Sequence, residues 1–300
     1  MNKNLIYFLS GTFILFNTFN ILAQNEEDQK LNIIVIGAHP DDADNKAGGT
    51  AALFAKMGHR VKFLSVTNGD AGHQDMGGGV LAKLRRKESE EAARQLGIEE
   101  YKVLDNHDGE LLPTLNVRHQ IIREIRNWNA DIVMSPRPAD YHPDHRYTGV
   151  LVQDAAYLVI VPNVTPDTPP LEKNPVFLYL EDHFKKPTPF QPDIVVDIGQ
   201  TFDEKIEGLN AHTSQMYEWL PWTERKLAEV PEGSEARLKW LEKTRSGSIT
   251  SAERESLKKW YGKERGGEVE YAESFEICEY GKQPSEEEIR NLFPMLSKNQ

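Results

Sequence analysis

The chain has 300 residues, of which 39% are hydrophobic and 27% charged, and its formal net charge is -12. That composition belongs to a globular protein with a sizeable core, and the charge argues against general binding to nucleic acid or anionic lipid, both of which reward clustered Lys and Arg. Cys278 is the sole cysteine, so an intramolecular disulfide and a cysteine metal cluster are excluded, and a tightly held metal needs His and carboxylate ligands.

Lys3 and the apolar run over residues 5–16, fading towards Ala23, read as a cleaved export signal at 1–23. Asn17, Thr18 and Asn20 interrupt the run of ~20 apolar residues that a retained span needs. The mature chain is therefore expected to be exported, periplasmic or secreted, without stable membrane insertion. Residues 24–29 are expected to form a short tail.

Residues 31–37 (LNIIVIG) are continuously apolar and β-branched, the pattern of a strand buried on both faces. A helix is expected over 48–57, a strand over 61–66 and a glycine-rich loop over 68–79. A charged amphipathic helix follows over 81–96, closed by Gly97. Then come a short strand at 102–104, a helix at 117–128 and a strand at 130–135. This alternation implies βαβ units, hence an α/β fold with a mostly parallel sheet between helical layers. The second half is less regular. Strands are expected at 176–180 and 193–198, helix over 202–217, a polar helix-prone stretch over 219–263 and a last strand at 271–280. No linker divides residues 30–285, which read as one domain, and residues 286–300 read as a C-terminal tail.

Two short segments carry the chemistry. His39-Pro40-Asp41-Asp42 follows the first strand, and His142-Pro143-Asp144-His145 follows the fourth. Ligands of parallel sheets bind at the carboxyl ends of strands, so the two turns can converge. Together they supply three His and three Asp. That is enough for the three ligands and open position of catalytic zinc, and for a carboxylate base beside it. Either segment alone is ordinary, since Asp-Asp before a helix is a common cap and His-Pro a common turn. Residue types alone do not say which of Asp41 and Asp42 is ligand and which is base.

The Ala38-His39-Pro40-Asp41-Asp42-Ala43 and His142-Pro143-Asp144-His145 segments resemble the PIG-L/LmbE-like zinc-dependent N-acetylglucosaminyl deacetylases over roughly residues 30–280. Weaker matches are Thr67-Asn68-Gly69-Asp70, the Arg85/Glu88/Ala92/Ala93 pattern, Ala211-His212-Thr213-Ser214-Gln215 and Ala272-Glu273-Ser274-Phe275. The resemblance implies a Rossmann-like three-layer fold with an irregular, helical C-terminal part. It implies zinc, or iron(II) in its place, on His39, Asp42 and His145, with Asp41 as general base. His142 would stabilise the oxyanion or protonate the leaving amine. Asp144 would orient a neighbouring imidazole and favour protonation of His142. The substrate class would be a small-molecule or glycan amino-sugar conjugate. One position departs from the family: its Glu after the two aspartates is Ala43 here, followed by Asp44.

Arg85 is expected to meet substrate or to pair with Glu88, and Asp108 to contact a sugar hydroxyl or shape a turn. His73 is expected in solvent, and His212 and Gln215 in structural roles. Trp219 and Trp222 suit either a sugar ring or the interior. Competing readings are an amidase of the same fold acting on another acylated amine, and a sugar-binding protein with a relic metal site. The absence of G-x-G-x-x-G after the first strand and of G-x-S-x-G anywhere counts against dinucleotide and serine-hydrolase chemistry.

Overall fold

The structure, a computed structural model, describes residues 30–296. The expected signal and tail at 1–29 lie outside the described residues. The elements in chain order are β1 (Asn32–Gly37), α1 (Asp42–Lys56), β2 (Arg60–Thr67), α2 (Gly78–Leu96), β3 (Glu100–Asn106), α3 (Leu115–Asn127), β4 (Ile132–Ser135) and α4 (Pro143–Leu158). They continue with β5 (Val176–Leu180), β6 (Ile194–Asp197), α5 (Phe202–Ala211), a π-helical turn at Ser214–Trp219, α6 (Leu220–Thr223), α7 (Ser234–Arg245), α8 (Ser251–Tyr261), α9 (Arg265–Glu268), β7 (Ala272–Gly281) and α10 (Glu286–Leu292).

The strands form one sheet in the order β3-β2-β1-β4-β5-β7-β6. All are parallel except β7, which runs antiparallel between β5 and β6. Alternating side chains build a core on each face. Ile33, Val35, Phe63 and Met134 pack on one side with α1 and α5, and Ile34, Ile36, Leu64 and Val133 on the other with α3 and α4. Both faces are covered, which explains why β1 is an unbroken apolar run. The expected Rossmann-like three-layer α/β fold is the one observed.

The chain leaves β1 towards β2 on one side and reaches β4 on the other, so the sheet switches direction between β1 and β4. The crevice at such a switch is where α/β proteins hold ligands. Beyond β4, the segment read only as a turn opens a helix. Pro143 sits at its first position and His142 caps it in an extended conformation, its Nδ1 accepting from Asp144 N. The expected C-terminal tail also differs. Residues 286–296 hold α10 and a 3-10 turn, and Ile289, Phe293, Met295 and Leu296 are buried in the first core.

α4 lies tight against the exit of β4. A Cβ at Gly149 would stand 2.7 Å from the Pro136 carbonyl oxygen and 2.8 Å from the Arg137 carbonyl carbon. In a free helix Gly→Ala gains up to about 1 kcal/mol. Here the backbone has no room, and overpacking costs about 1–3 kcal/mol. Gly149→Ala is therefore expected to lower the midpoint of chemical denaturation. An unchanged or raised midpoint would show that α4 is not pinned there.

Candidate active site

The loop after β1 is set by Asp42. Its Oδ2 accepts from Ala38 N and His39 N, both at 2.8 Å. The side chain folds back so closely that a Cβ on Gly37 would lie 2.6 Å from the Asp42 Cβ. Asp41, at the cap of α1, takes φ 144° and ψ -19°. That is a costly conformation for a residue with a side chain. It aims the carboxylate away from the helix. Asp41 Oδ2 accepts from Gln215 Nε2 at 3.0 Å, and Asp41 Oδ1 is buried with no partner in the protein.

The turn after β4 meets this loop. His39 Nδ1 lies 3.1 Å from His145 Nε2 and 3.6 Å from Asp42 Oδ2, and His145 Nε2 lies 3.4 Å from Asp42 Oδ1. Ligands about 2.0–2.1 Å from a tetrahedral zinc are separated from one another by roughly 3.4 Å. The far nitrogens of both rings are held by carboxylates. His39 Nε2 is 3.0 Å from Asp108 Oδ1 and 3.3 Å from Asp144 Oδ2, and His145 Nδ1 is 3.0 Å from Asp140 Oδ1. A ring nitrogen that donates to a carboxylate leaves its other nitrogen as a lone pair. The two lone pairs then face each other beside Asp42, an arrangement that asks for a cation between them. The residues fit a divalent metal.

The charges agree. Burial opposes protonation of His39, but Asp108, Asp144 and Asp42 outweigh it and hold the imidazole well above the ordinary histidine value. Burial likewise opposes protonation of His145, yet Asp42 and Asp140 push it up to about 9. Four carboxylates thus surround two imidazoles and favour positive charge at their centre. Two further donor sets overlap that of His39, Asp42 and His145: His39 with His142 and His145, and His39 with Asp108 and Asp144 on the Nε2 side of His39. Asp144 is already engaged there, accepting from Gly109 N at 2.7 Å and Leu111 N at 3.2 Å.

His142 is part of the cluster. Its ring centroid is 4.6 Å from that of His39 and 5.1 Å from that of His145. Protonation promoted by Asp144 does not prevail. Burial, then His39 and His145, lower the His142 pKa against the weaker pull of Asp144. Because Nδ1 accepts from Asp144 N, the proton of the neutral ring resides on Nε2, which remains a donor.

Arg85, expected to meet substrate or Glu88, is 1% exposed and donates from Nη2 to the Gly72 carbonyl and to Gln215 Oε1, each at 2.6 Å. Glu88 is taken by Ser214, accepting from its N at 2.8 Å and its Oγ at 2.6 Å. Gln215 thereby links Arg85 to Asp41. Its sequence signal was only the weak Ala211–Gln215 match. Asp108 reaches His39, and Asp70 supports that loop by accepting from Asp108 N. Asp140 carried no signal in the sequence. Where the family has Glu, Ala43 is buried in the core, while Asp44 turns inward to accept from the Tyr101 hydroxyl and lies 3.2 Å from His212 Nε2. His73, expected in solvent, has a side chain only 3% exposed and paired with Glu218 at 2.8 Å.

The protein is thus an α/β protein with a His/Asp cluster that could hold a metal at the switch point of its parallel sheet. Residues 34–156 match the family model for GlcNAc-PI de-N-acetylase, PIG-L. Diacetylchitobiose deacetylase of Thermococcus kodakarensis is 31% identical over 201 residues, 63% of this chain and 73% of that protein. The structure of N,N'-diacetylchitobiose deacetylase from Pyrococcus horikoshii superposes with a TM-score of 0.62 at 25% identity, covering 90% of this chain and 95% of that one. A 4-oxalmesaconate hydratase of Pseudomonas putida is 23% identical over 67% of this chain and 80% of its own length. The chain belongs to the PIG-L family and is an N-deacetylase.

Asp144 tests the anchoring of the cluster. Asp144→Ala would leave the buried Leu111 amide unmet, release the Gly109 amide and leave His39 Nε2 to Asp108 alone, at a cost of about 1–3 kcal/mol. Chemical denaturation is expected to register that loss. Wild-type stability in the variant would mean that the carboxylate is not a structural anchor.

Proposed function

We propose that this enzyme uses one divalent metal, zinc in the first place and iron(II) in the second, to hydrolyse the acetamide of an N-acetylglucosamine-type conjugate. The observation that carries the reading is the convergence of three donor atoms, with His145 Nε2 lying 3.1 Å from His39 Nδ1 and 3.4 Å from Asp42 Oδ1, beside the unpartnered Oδ1 of Asp41. The similarity to diacetylchitobiose deacetylases supports the amino-sugar substrate. The apolar N-terminal run supports action outside the cytoplasm. Among the described residues no helix is long and apolar enough to cross a membrane.

In this reading His39 Nδ1, Asp42 Oδ1 and His145 Nε2 would hold the ion, which would supply Lewis acidity at the acetyl carbonyl and a nearby water. Asp41 Oδ1 takes the proton from that water. Gln215 occupies the other oxygen and so directs which one acts. As the carbonyl carbon becomes tetrahedral, the Nε2–H of His142 donates to the developing oxyanion as a neutral ring. Asp41 then returns its proton to the sugar nitrogen. The C–N bond breaks, giving acetate and the free amine. Asp108, Asp140 and Asp144 hold the imidazoles in place throughout.

The direct test is acetate release across N-acetylglucosamine conjugates, with and without chelator. Metal-dependent release supports the reading. No acetate, with hydration of a carbon–carbon double bond instead, would move the chain to the chemistry of its hydratase relative. Asp41→Asn is expected to retain the metal by elemental analysis and lose about 10²–10⁴-fold in kcat. His39→Ala and His145→Ala should lose the metal. His142→Ala should keep it, with kcat lower by about 10²–10³-fold. Loss of metal in Asp41→Asn but not in Asp42→Asn would exchange the two roles.

A further inference from the structure

The start of α1 departs from the ordinary form of a helix N-terminus. Asp41 at the cap and Asp44 three residues on stand where a capping box would form, each carboxylate accepting from the other's backbone N–H. Neither does so. Asp41 Oδ2 goes to Gln215, and Asp44 Oδ2 takes the Tyr101 hydroxyl at 2.8 Å and lies 3.2 Å from His212 Nε2. Asp44 and His212 are both fully buried. Burial opposes protonation of His212, but Asp44, Asp41 and Glu88 outweigh it and hold the imidazole above the ordinary histidine value. The contact is therefore a buried ion pair. Position 43 faces the apolar core, so the acidic residue that makes this contact stands at 44.

The pair closes a ring of contacts around the base. Within the first turn of α1, Asn45 N donates to the Asp41 carbonyl at 3.0 Å. Asp44 in the same turn crosses to the His212 side chain at the end of α5. The His212 carbonyl in turn accepts from Gln215 N at 3.0 Å and Met216 N at 2.8 Å. Gln215 Nε2 returns to Asp41 Oδ2 at 3.0 Å. All four side chains of the ring are buried. An apolar pair of similar volume would pack as well as the ion pair. What the ion pair adds is a fixed direction between the two turns.

We propose that Asp44 and His212 are a positioning pair for Asp41: their contact fixes the turn after α5 against the first turn of α1, and so holds the Asp41 carboxylate in its acting orientation through Gln215. The assignment of Asp41 as base rests on the deacetylase reading above. The pair itself touches neither the donor atoms on His39, Asp42 and His145 nor the substrate.

A mutant cycle with Gln215 separates this role from plain core packing. Asp44→Asn keeps the shape of the side chain and its acceptor for Tyr101 but loses the ion pair, and His212→Asn loses it from the other side. Each is expected to keep the wild-type metal content and KM and to lose about tenfold in kcat, the cost of a misaimed base. In a Gln215→Ala background, which itself lowers kcat, neither should lower it further, because the pair acts through Gln215. Losses that multiply with that of Gln215→Ala, or that follow a loss of metal, would overturn the proposal. Tyr101→Phe removes one hydroxyl and decides the matter if the other variants do not fold: its smaller loss, about two- to threefold, should likewise vanish in the Gln215→Ala background. Hydrogen exchange reads the brace without turnover. The amides of residues 213–217 should exchange about tenfold faster in Asp44→Asn, with those of β1 unchanged; wild-type exchange there would overturn the brace. Faster exchange in Asp44→Asn together with no acetate release by metal-loaded wild type would instead overturn the deacetylase reading and leave the brace standing.

Discussion

The parallel pairing of β1 with β4 is the constraint on which the site depends. It matches Ile33 with Ile132 and Val35 with Met134, and so delivers two turns to one crevice. His39 and His145 are 106 positions apart in the chain and 3.1 Å apart in space. No loop of that length could hold two imidazoles in register by itself. The sheet does so because both strands are buried on both faces and cannot slip without exposing their apolar side chains. The close seat of Gly149 against the exit of β4 extends the same constraint to the helix that carries His145.

The site concentrates negative charge around two imidazoles in a way that favours positive charge at its centre. Asp42, Asp108, Asp140 and Asp144 lie against two buried imidazoles, each carboxylate with a nitrogen it can hold. Such a cluster would be costly if it were left unbalanced. The strained backbone at Asp41 belongs to the same economy. It turns one carboxylate oxygen to Gln215 and leaves the other buried and unpaired, a cost that makes sense where a proton has to be accepted. Arg85 contributes from behind. Its Nη2 donates to Gln215 Oε1 and so fixes the orientation of that amide.

Much of this was legible in the sequence, and the reasons are physical. The apolar run of β1 and the alternation up to β4 follow from burial on both faces of a parallel sheet, and they gave the fold class. The two His/Asp turns could be marked because such pairs at strand ends are unusual, while the choice of His39, Asp42 and His145 among them came only from the family resemblance. The second half was read less well. β7 enters the sheet between β5 and β6, a long-range choice that no local pattern announces. α10 reads as a polar tail because Ile289 is the only buried residue of its seven. Asp140 escaped, and Gln215 was read only as structural, because an acceptor two residues before His142, or an amide far along the chain, gains meaning only when the fold brings it to its partner. His142 was misjudged in charge: proximity to Asp144 suggested an imidazolium, whereas two neighbouring imidazoles and burial favour the neutral ring.

The central claim is that the metal sits between the two strand ends and not on the far side of His39. Anomalous diffraction at the metal edge from crystals of the purified enzyme tests it most directly. The account predicts a single site ligated by His39 Nδ1, Asp42 Oδ1 and His145 Nε2, with Asp41 Oδ1 near but unligated. A metal bound by His39 Nε2, Asp108 and Asp144, or one closed off by His142 as a fourth protein ligand, would contradict it.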